Sequence, residues 1–230
     1  MIGYLIRRVL AAIPILIIVS LFIFSLVNLM PGALAPDTGT IRFLGRDVGA
    51  LGVPERARMG LGRTFQISSL AMEYTVLQNA VLGALGQEGG LMRFFRPVMK
   101  NRVLVDRAMA ALERVGLADH ATKRTADLSH GQRRLLEVAV ALTLNPQVFL
   151  MDEPMAGLGA SGSKRLTGFL DSLRAVAPIL LVEHDMDAVF ALADRVSVLG
   201  YGRVIATGTA DEIRRDPAVR EAYLGAEDAA

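Results

Sequence analysis

Two short apolar segments joined by one amphipathic helix constrain this chain more than any other feature of its sequence. Residues 148–151 and 179–182 are too short for helices and are bounded by polar residues, so they predict two buried strands. Residues 166–173 place apolar side chains at positions i, i+3, i+4 and i+7, which predicts one apolar face of a helix. Strand, helix and strand in that order imply parallel pairing through a right-handed crossover. We therefore expect an α/β fold with a mainly parallel sheet.

Polar side chains follow both predicted strands and should meet at one edge of the sheet, where open α/β sheets bind ligands. Asp152 and Glu153 follow the first strand, and His184 follows the second. Asp152 is the hard oxygen ligand that magnesium requires, Glu153 could polarise an attacking water, and His184 could contact a γ-phosphate. The alternative is two acids that cap a surface strand beside a structural histidine. Pro154 favours the first interpretation, because it ends the strand and fixes the direction of the carboxylates.

The segment Ser129–Gln132 begins a predicted helix, and two functions are compatible with it. Ser129 with Gln132 three residues later is a capping box, which satisfies unpaired amides at the helix start. The same helix start offers amides, a hydroxyl and, through Gly131, room for a phosphate to approach closely. His120 and His130 are interpreted as structural.

The first thirty residues differ in character from the rest of the chain. Residues 9–30 carry no charge, and 22 such residues are enough to span a bilayer as a helix. A buried core helix is a poorer interpretation, because the segment has no polar face. A signal peptide is a second alternative, since residues 33–35 imitate a cleavage site, but its apolar region would be too long and a proline would follow the cut bond. We expect a membrane domain at residues 1–34 and a second domain at residues 35–230.

The second domain is predicted to carry a helical insert and a C-terminal hairpin. Residues 75–83 and 101–115 have helical patterns, with a glycine-rich loop at residues 86–90 between them. A helical subdomain is therefore expected at about residues 70–127. Residues 196–208 predict a hairpin.

Two short helices should follow that hairpin, and composition excludes some kinds of partner. Thr209 with Glu212 predicts a capping box for the first helix, and Asp216-Pro217 predicts the start of the second. The chain has no cysteine, which excludes disulfides and zinc–thiolate sites. Lys and Arg exceed acids between residues 91 and 134, but with few aromatics this predicts a solvated helical face and no nucleic-acid partner.

Several motifs in this order resemble the ATP-binding subunit of ABC transporters, within the branch that serves branched-chain amino acid importers. The resemblance covers about residues 40–226. Its motifs are GLGRTFQ, LSHGQ, VFLMDEP, LLVEHDM and the C-terminal segment that begins GRVIATG. It implies a P-loop NTPase core of the ABC ATPase type, with ATP and Mg²⁺ as cofactors. The implied partners are ABC permease subunits and a second ATP-binding subunit.

The resemblance also implies a role for each matched residue. Gln66 would contact magnesium and relay to the permease, and Asp152 would hold the metal. Ser129, Gly131 and Gln132 would contact ATP held by the opposing subunit, as the family's signature motif does. In the same way, Glu153 would orient the attacking water and His184 would sense the γ-phosphate. The implied location is the inner (plasma) membrane, with the ATPase part on the cytoplasmic side.

One part of the family pattern has no counterpart in these 230 residues. The loop G-x-x-x-x-G-K-[ST] cradles phosphates with its amides and lysine, and the sequence contains no Gly-Lys dipeptide. The nearest imitation, residues 62–64, belongs to the GLGRTFQ segment. We therefore expect an incomplete core, impaired ATP binding, and a strand at residues 148–151 that has lost a neighbour. Gly159 also stands where many ABC ATPases carry an aspartate.

The predicted membrane helix has a resemblance of its own. Residues 1–32 are similar to the first transmembrane helix of dipeptide/oligopeptide-type ABC permeases, with YLIRR near the start and PG after the helix. The expected function is an ATP-binding, energy-coupling subunit of a branched-chain amino acid importer. The alternative is a non-catalytic, membrane-anchored fragment that pairs with an intact ATPase subunit.

Overall fold

The computed structural model describes residues 30–32, 39–63, 70–88, 97–200 and 203–224. The predicted membrane helix, apart from its last residue, lies outside these ranges. Within them, no helix combines the length and the apolar character needed to cross a membrane.

The described elements are strands and helices, with three α-helices in succession between the third and the fourth strand. The strands in chain order are β1 (Arg42–Phe43), β2 (Arg46–Asp47), β3 (Leu61–Arg63), β4 (Val148–Asp152), β5 (Ile179–Val182), β6 (Val196–Gly200) and β7 (Arg203–Gly208). The helices in chain order are α1 (Val53–Arg58), α2 (Val76–Glu88), α3 (Arg102–Arg114), α4 (His130–Leu142), α5 (Ala160–Leu173), α6 (Met186–Leu192), α7 (Ala210–Arg215) and α8 (Pro217–Leu224). Short 3₁₀ turns precede and follow α3.

The central sheet has the strand order β3-β4-β5, and both pairings are parallel. The predicted β4–α5–β5 unit is therefore confirmed, with Leu150 opposite Leu180. The expectation that β4 would lack a neighbour is wrong, because β3 pairs with its other edge and places Gly62 opposite Phe149. Phe149 and Met151 are fully buried in the core as a result. Among the described residues, the outer edges of β3 and of β5 have no strand partner.

The C-terminal part forms a smaller unit beside the sheet. β6 and β7 form the predicted antiparallel hairpin, and their apolar side chains pack with Ile213 of α7 and Val219 of α8. Thr209 and Glu212 form the predicted capping box. Asp216 directly precedes α8, as expected from Asp216-Pro217.

The helical part packs α2 and α3 against α4 through a shared apolar core. The predicted loop at residues 86–90 is wrong in its first half, because α2 continues through Gly86 to Glu88. Two tertiary contacts hold this end of the helix: Gln87 Nε2 donates to the carbonyl of Leu144 (3.0 Å), and Arg107 Nη1 donates to Gln87 Oε1 (2.7 Å). Contacts made after folding therefore override the local preference of glycine for a loop.

An arginine fixes the N-terminal part of the described chain. Arg56 in α1 is 1% exposed, and its guanidinium donates to the carbonyls of Leu51 (2.9 Å) and Met30 (2.7 Å). Met30, the last residue of the predicted membrane helix, is thereby attached to α1. A side chain at Gly32 would collide with both Arg56 and the carbonyl of Leu51.

Candidate functional site

The candidate site begins where β4 ends. Asp152 is the last residue of the strand and is 7% exposed. Glu153 leaves the strand in the left-handed region (φ 43°), which is unusual for a residue with a side chain. Its N–H still donates to the carbonyl of Val182 at 2.8 Å, so the turn starts while the chain is attached to β5. The backbone therefore turns sharply at the second carboxylate, as expected of a strained residue in a functional site.

His184 lies beside Glu153, at the predicted edge of the sheet. Its Nδ1 is 3.7 Å from Oε1 of Glu153 and 3.8 Å from Oε2 of Glu183. The imidazole side chain is 73% exposed, whereas the side chain of Glu183 is completely buried. The structure thus brings Glu153 and His184 together and leaves the ring accessible to a ligand.

The environment of Asp152 suits a bound cation. Burial raises the pKa of this carboxyl, and the neighbouring carboxylate of Glu153 raises it further; Arg63 and Arg134 oppose this by lowering it. Burial in turn lowers the pKa of Arg63, which Asp152 partly offsets. A divalent cation would relieve the unfavourable charge on Asp152, so the residues present fit magnesium.

Further ligands would have to come from elsewhere. In the part of the chain that the structure describes, no three His, Asp or Glu side chains gather as a metal-binding group. Magnesium in phosphate-handling sites is often held by one or two carboxylates, water and the phosphates themselves, so one carboxylate is compatible with that role. Gln66, the other predicted metal ligand, lies outside the described residues.

The start of α4 has the predicted capping box. Ser129 Oγ accepts from the N–H of Gln132 (3.3 Å), and Gln132 Oε1 accepts from the N–H of Ser129 (3.0 Å). A Cβ at Gly131 would meet only Leu158, at an ordinary contact distance of 3.6 Å. Neither backbone conformation nor packing among the described residues therefore requires glycine at position 131, and this side of the helix start is open.

The two groups of predicted site residues are not directly bonded to each other. Within the described ranges, no hydrogen bond or ion pair joins Ser129 or Gln132 to Asp152, Glu153 or His184. Glu153–Leu158, here called the connecting loop, lies between them.

Sequence reasoning missed several residues that build this site. Glu183, Arg134 and Arg63 all surround Asp152, and each contributes to its electrostatic environment. The available signal for Glu183 was its position directly after a buried strand and before His184. Arg134 gave no comparable signal, because its contacts with the carbonyls of Glu153 and Pro154 are distant in the sequence.

A parallel α/β sheet with paired carboxylates at the end of one strand and a histidine after the next is the arrangement of an α/β nucleotide-binding domain. The family described as "ABC transporter" matches residues 25–156, and the family described as "Branched-chain amino acid ATP-binding cassette transporter" matches residues 203–229. The chain belongs to the ABC transporter family, as one of its ATP-binding domains.

Several named relatives are similar to this chain over most of their length. The high-affinity branched-chain amino acid transport ATP-binding protein LivG of Salmonella typhimurium is 37% identical over 207 residues, which cover 86% of this chain and 80% of that protein. LivG of Escherichia coli K12 is 36% identical over the same shares. BraF of Pseudomonas aeruginosa, with the same description as LivG, is 33% identical over 205 residues, 86% of this chain and 80% of BraF.

Solved structures agree with the fold. A nucleotide-free ATP-binding cassette from an ABC transporter superposes with a TM-score of 0.77 at 29% identity, covering 87% of this chain and 83% of that one. The ADP conformation of MJ1267, an ATP-binding cassette of an ABC transporter, has the same TM-score and identity and covers 87% and 82%.

Proposed function

We propose that this chain is an ATP-binding subunit of a branched-chain amino acid importer. It would work with membrane permease subunits and a second ATP-binding subunit, on the cytoplasmic face of the inner membrane. The support is its similarity to LivG and BraF over most of their length, together with the C-terminal match at residues 203–229.

Within that assembly, the chain would complete a nucleotide site held mainly by its partner. The observation that carries this proposal is the open start of α4, where Ser129 is the N-cap and no contact among the described residues requires glycine at position 131. A helix start with free amides and positive dipole is suited to bind phosphate. Packing among the described residues does not require the open start of α4. The phosphates of a nucleotide held by a second subunit could bind there.

The site formed by Asp152, Glu153 and His184 of this chain would by itself bind nucleotide weakly. Its sequence has no Gly-Lys dipeptide, so a phosphate chain would lack the amide cradle and lysine that normally offset its charge. When bound, magnesium would supply charge compensation to the phosphates. Asp152 would hold that cation, Glu153 would orient a water, and His184, with its exposed ring, would contact the terminal phosphate.

The experiment compares two glycine substitutions that the fold should tolerate equally. Gly131→Ala and Gly168→Ala each add one methyl to a helix, and neither added Cβ meets a close neighbour. We expect both variants to fold with unchanged or slightly raised stability. Gly131→Ala should abolish ATP-dependent capture by an intact, hydrolysis-deficient ATP-binding subunit, whereas Gly168→Ala should be captured like the original chain.

A second pair tests the serine in the same assay. Ser129→Arg places a long cation at the helix start and should also abolish capture. Ser172→Arg, at an exposed position of α5, should not. Capture that is independent of ATP, or equal capture of Gly131→Ala and the original chain, would contradict the proposal.

A second candidate is a non-catalytic, membrane-anchored fragment that pairs with an intact ATPase subunit. The observation that favours it is the uncharged run at residues 9–30, combined with the absent Gly-Lys dipeptide. Extraction of membranes with alkaline carbonate tests the anchor. Retention of the full chain in the membrane pellet would support it, and recovery of the intact chain in the supernatant would refute it.

A further inference from the structure

The connecting loop is held from both sides by buried charged side chains that the family motifs leave without a role. The loop turns away from β4 at Glu153, ends at Leu158, and passes between the start of α4 and the residues that follow β5. Its position depends on contacts from Arg134 on one side and Glu183 on the other.

Arg134 forms hydrogen bonds with the first two carbonyl groups of the loop. Its Nη2 donates to the carbonyl of Glu153 (2.9 Å), and its Nε donates to the carbonyl of Pro154 (3.1 Å). Its Nη1 donates to Glu137 Oε2 at 2.7 Å, and the two side chains are only 6% and 9% exposed. Glu137 thus fixes the orientation of the Arg134 guanidinium. The remaining N–H groups of this planar group are spaced to bind two neighbouring carbonyls.

Glu183 forms a hydrogen bond with the loop from the other side. Its Oε1 accepts from the N–H of Met155 at 2.7 Å. Its Oε2 accepts from the N–H groups of His184 (3.0 Å) and Asp185 (3.3 Å). One buried carboxylate therefore joins the connecting loop to the residues around His184, and an ionised carboxylate suits this role because it accepts hydrogen bonds only.

The hydrogen bonds of Arg134 and Glu183 lie on either side of the strained residue, Glu153. Glu153 has a left-handed φ of 43°, and such a conformation persists only where its surroundings enforce it. Its N–H is held by the carbonyl of Val182 and its C=O by Arg134. The next N–H that can be held, that of Met155, is held by Glu183.

The far end of the loop contacts the start of α4. The ring Nε2 of His130 donates to the carbonyl of Ala156 at 3.3 Å. Leu158 lies next to Gly131, and Gly157, with φ 74°, leaves room for the His130 ring. A shift of the loop would therefore change the positions of both His184 and the segment Ser129–Gln132.

We propose that Glu183 and Arg134 are positioning residues. Together they fix the connecting loop so that Glu153, His184 and the start of α4 keep one mutual arrangement. The inference rests on the proposed function only for its second readout, which is nucleotide-dependent pairing. Its first readout is a property of the isolated chain.

The first experiment measures amide hydrogen exchange in Glu183→Gln, with Glu113→Gln as control because Glu113 is exposed on α3. Glutamine has one oxygen that accepts and an NH2 group that donates, so it cannot replace both accepting oxygens of Glu183. We expect the amides of Met155, His184 and Asp185 to exchange about tenfold faster, since hydrogen bonds to a charged group are lost. Slow amides of β4, such as that of Met151, should keep their protection.

This pattern separates positioning from general stability. If Glu183→Gln accelerates exchange equally in β4 and in the loop, the residue only stabilises the fold and the proposal fails. Unchanged exchange at Met155 would also overturn it. If Glu183→Gln does not fold, Arg134→Lys serves as the second variant, because a lysine keeps the charge beside Glu137 but cannot reach both carbonyls. It should accelerate exchange at Met155 in the same local way.

The second experiment measures capture by an intact, hydrolysis-deficient ATP-binding subunit in the presence of ATP. The original chain and Glu113→Gln should be captured alike, and Glu183→Gln about tenfold more weakly. Absence of ATP-dependent capture with the original chain refutes the proposed function, and the exchange experiment still decides the positioning roles. Normal capture of Glu183→Gln despite local loss of protection would overturn the coupling between the loop and α4.

Discussion

Nδ1 of His184 lies 3.7 Å from Oε1 of Glu153, although the two residues follow different strands. The parallel register of β4 and β5 accounts for this proximity, because it places Asp152 opposite Val182 and so delivers both strand ends to one edge. Glu153 follows its strand directly, while His184 stands one residue further on, after Glu183. The side chain of Glu183 turns inward, and the side chain of His184 remains 73% exposed.

Replacing Asp152 by asparagine should stabilise the chain at neutral pH in the absence of divalent cations. The pKa of Asp152 is raised above its ordinary value of 3.8 by burial and by Glu153. The folded chain therefore holds this proton at pH values where the unfolded chain has released it, and stability falls as pH rises above 3.8. Asp152→Asn removes the ionisable group and with it this loss of stability. Urea denaturation at a series of pH values measures the free energy of unfolding of both chains.

The matched control is Asp106→Asn, since Asp106 is exposed on α3. Its stability should follow that of the original chain at each pH. If Asp152→Asn is less stable than the original chain at neutral pH, the electrostatic attraction of the carboxylate to Arg63 and Arg134 outweighs the cost of its burial.

Glu212 should contribute to stability in the opposite pH direction. Its Oε2 accepts from the N–H of Thr209 (2.7 Å) and from its hydroxyl (3.1 Å), and the backbone hydrogen bond is the main cause that lowers the pKa of Glu212. Its stabilising effect should be complete above the ordinary value of 4.5 and be lost as pH falls below it. Glu212→Gln should remove this part of the acid sensitivity, as measured by thermal unfolding. Glu221→Gln, on α8, should not.

Local patterns account for the parts of the site that the sequence predicted. Ser129 and Gln132 lie three residues apart, so the capping box needed no knowledge of the fold. The common edge of Asp152, Glu153 and His184 followed from one strand–helix–strand unit. The catalytic and ligand-binding roles of these residues remain predictions.

The parts that sequence reasoning missed depend on residues far apart in the chain. β3 is only three residues long, and its pairing with β4 joins Gly62 to Phe149. Glu183 acquires its role only when the fold presents the N–H of Met155 to it. No periodicity or spacing carries that information, because the contact is made between two loops.

Gly159 offers a stabilising substitution. It is the N-cap of α5, where glycine provides no side chain to accept from the helix amides. A Cβ at this position meets nothing within 4 Å, and the backbone is extended. Gly159→Asp should therefore stabilise the fold by about 0.5 kcal/mol, through capping and reduced freedom of the unfolded chain. Gly159→Ala separates the two contributions in urea denaturation, and equal stability of the two variants would exclude the cap.

Two glycines of α2 should respond to alanine in opposite ways. Gly83 faces α4, and an added Cβ would lie 2.6 Å from Thr143 Oγ1 and 3.0 Å from the carbonyl of Val140. Such overlap between packed helices forces them apart, so Gly83→Ala should destabilise the fold by about 1–3 kcal/mol. Gly86 is in the same helix with nothing within 4 Å of its added Cβ. Gly86→Ala should stabilise by about 0.5–1 kcal/mol, because alanine has the higher helix propensity.

The comparison also tests where α2 ends, because only a helical Gly86 gains from alanine through helix propensity. Urea denaturation with a common m-value gives both free-energy changes on one scale. A neutral or destabilising Gly86→Ala would mean that the helix ends before this residue, as the glycine-rich sequence at residues 86–90 suggests. A stabilising Gly86→Ala alongside a destabilising Gly83→Ala would show that α2 extends through Gly86 in solution.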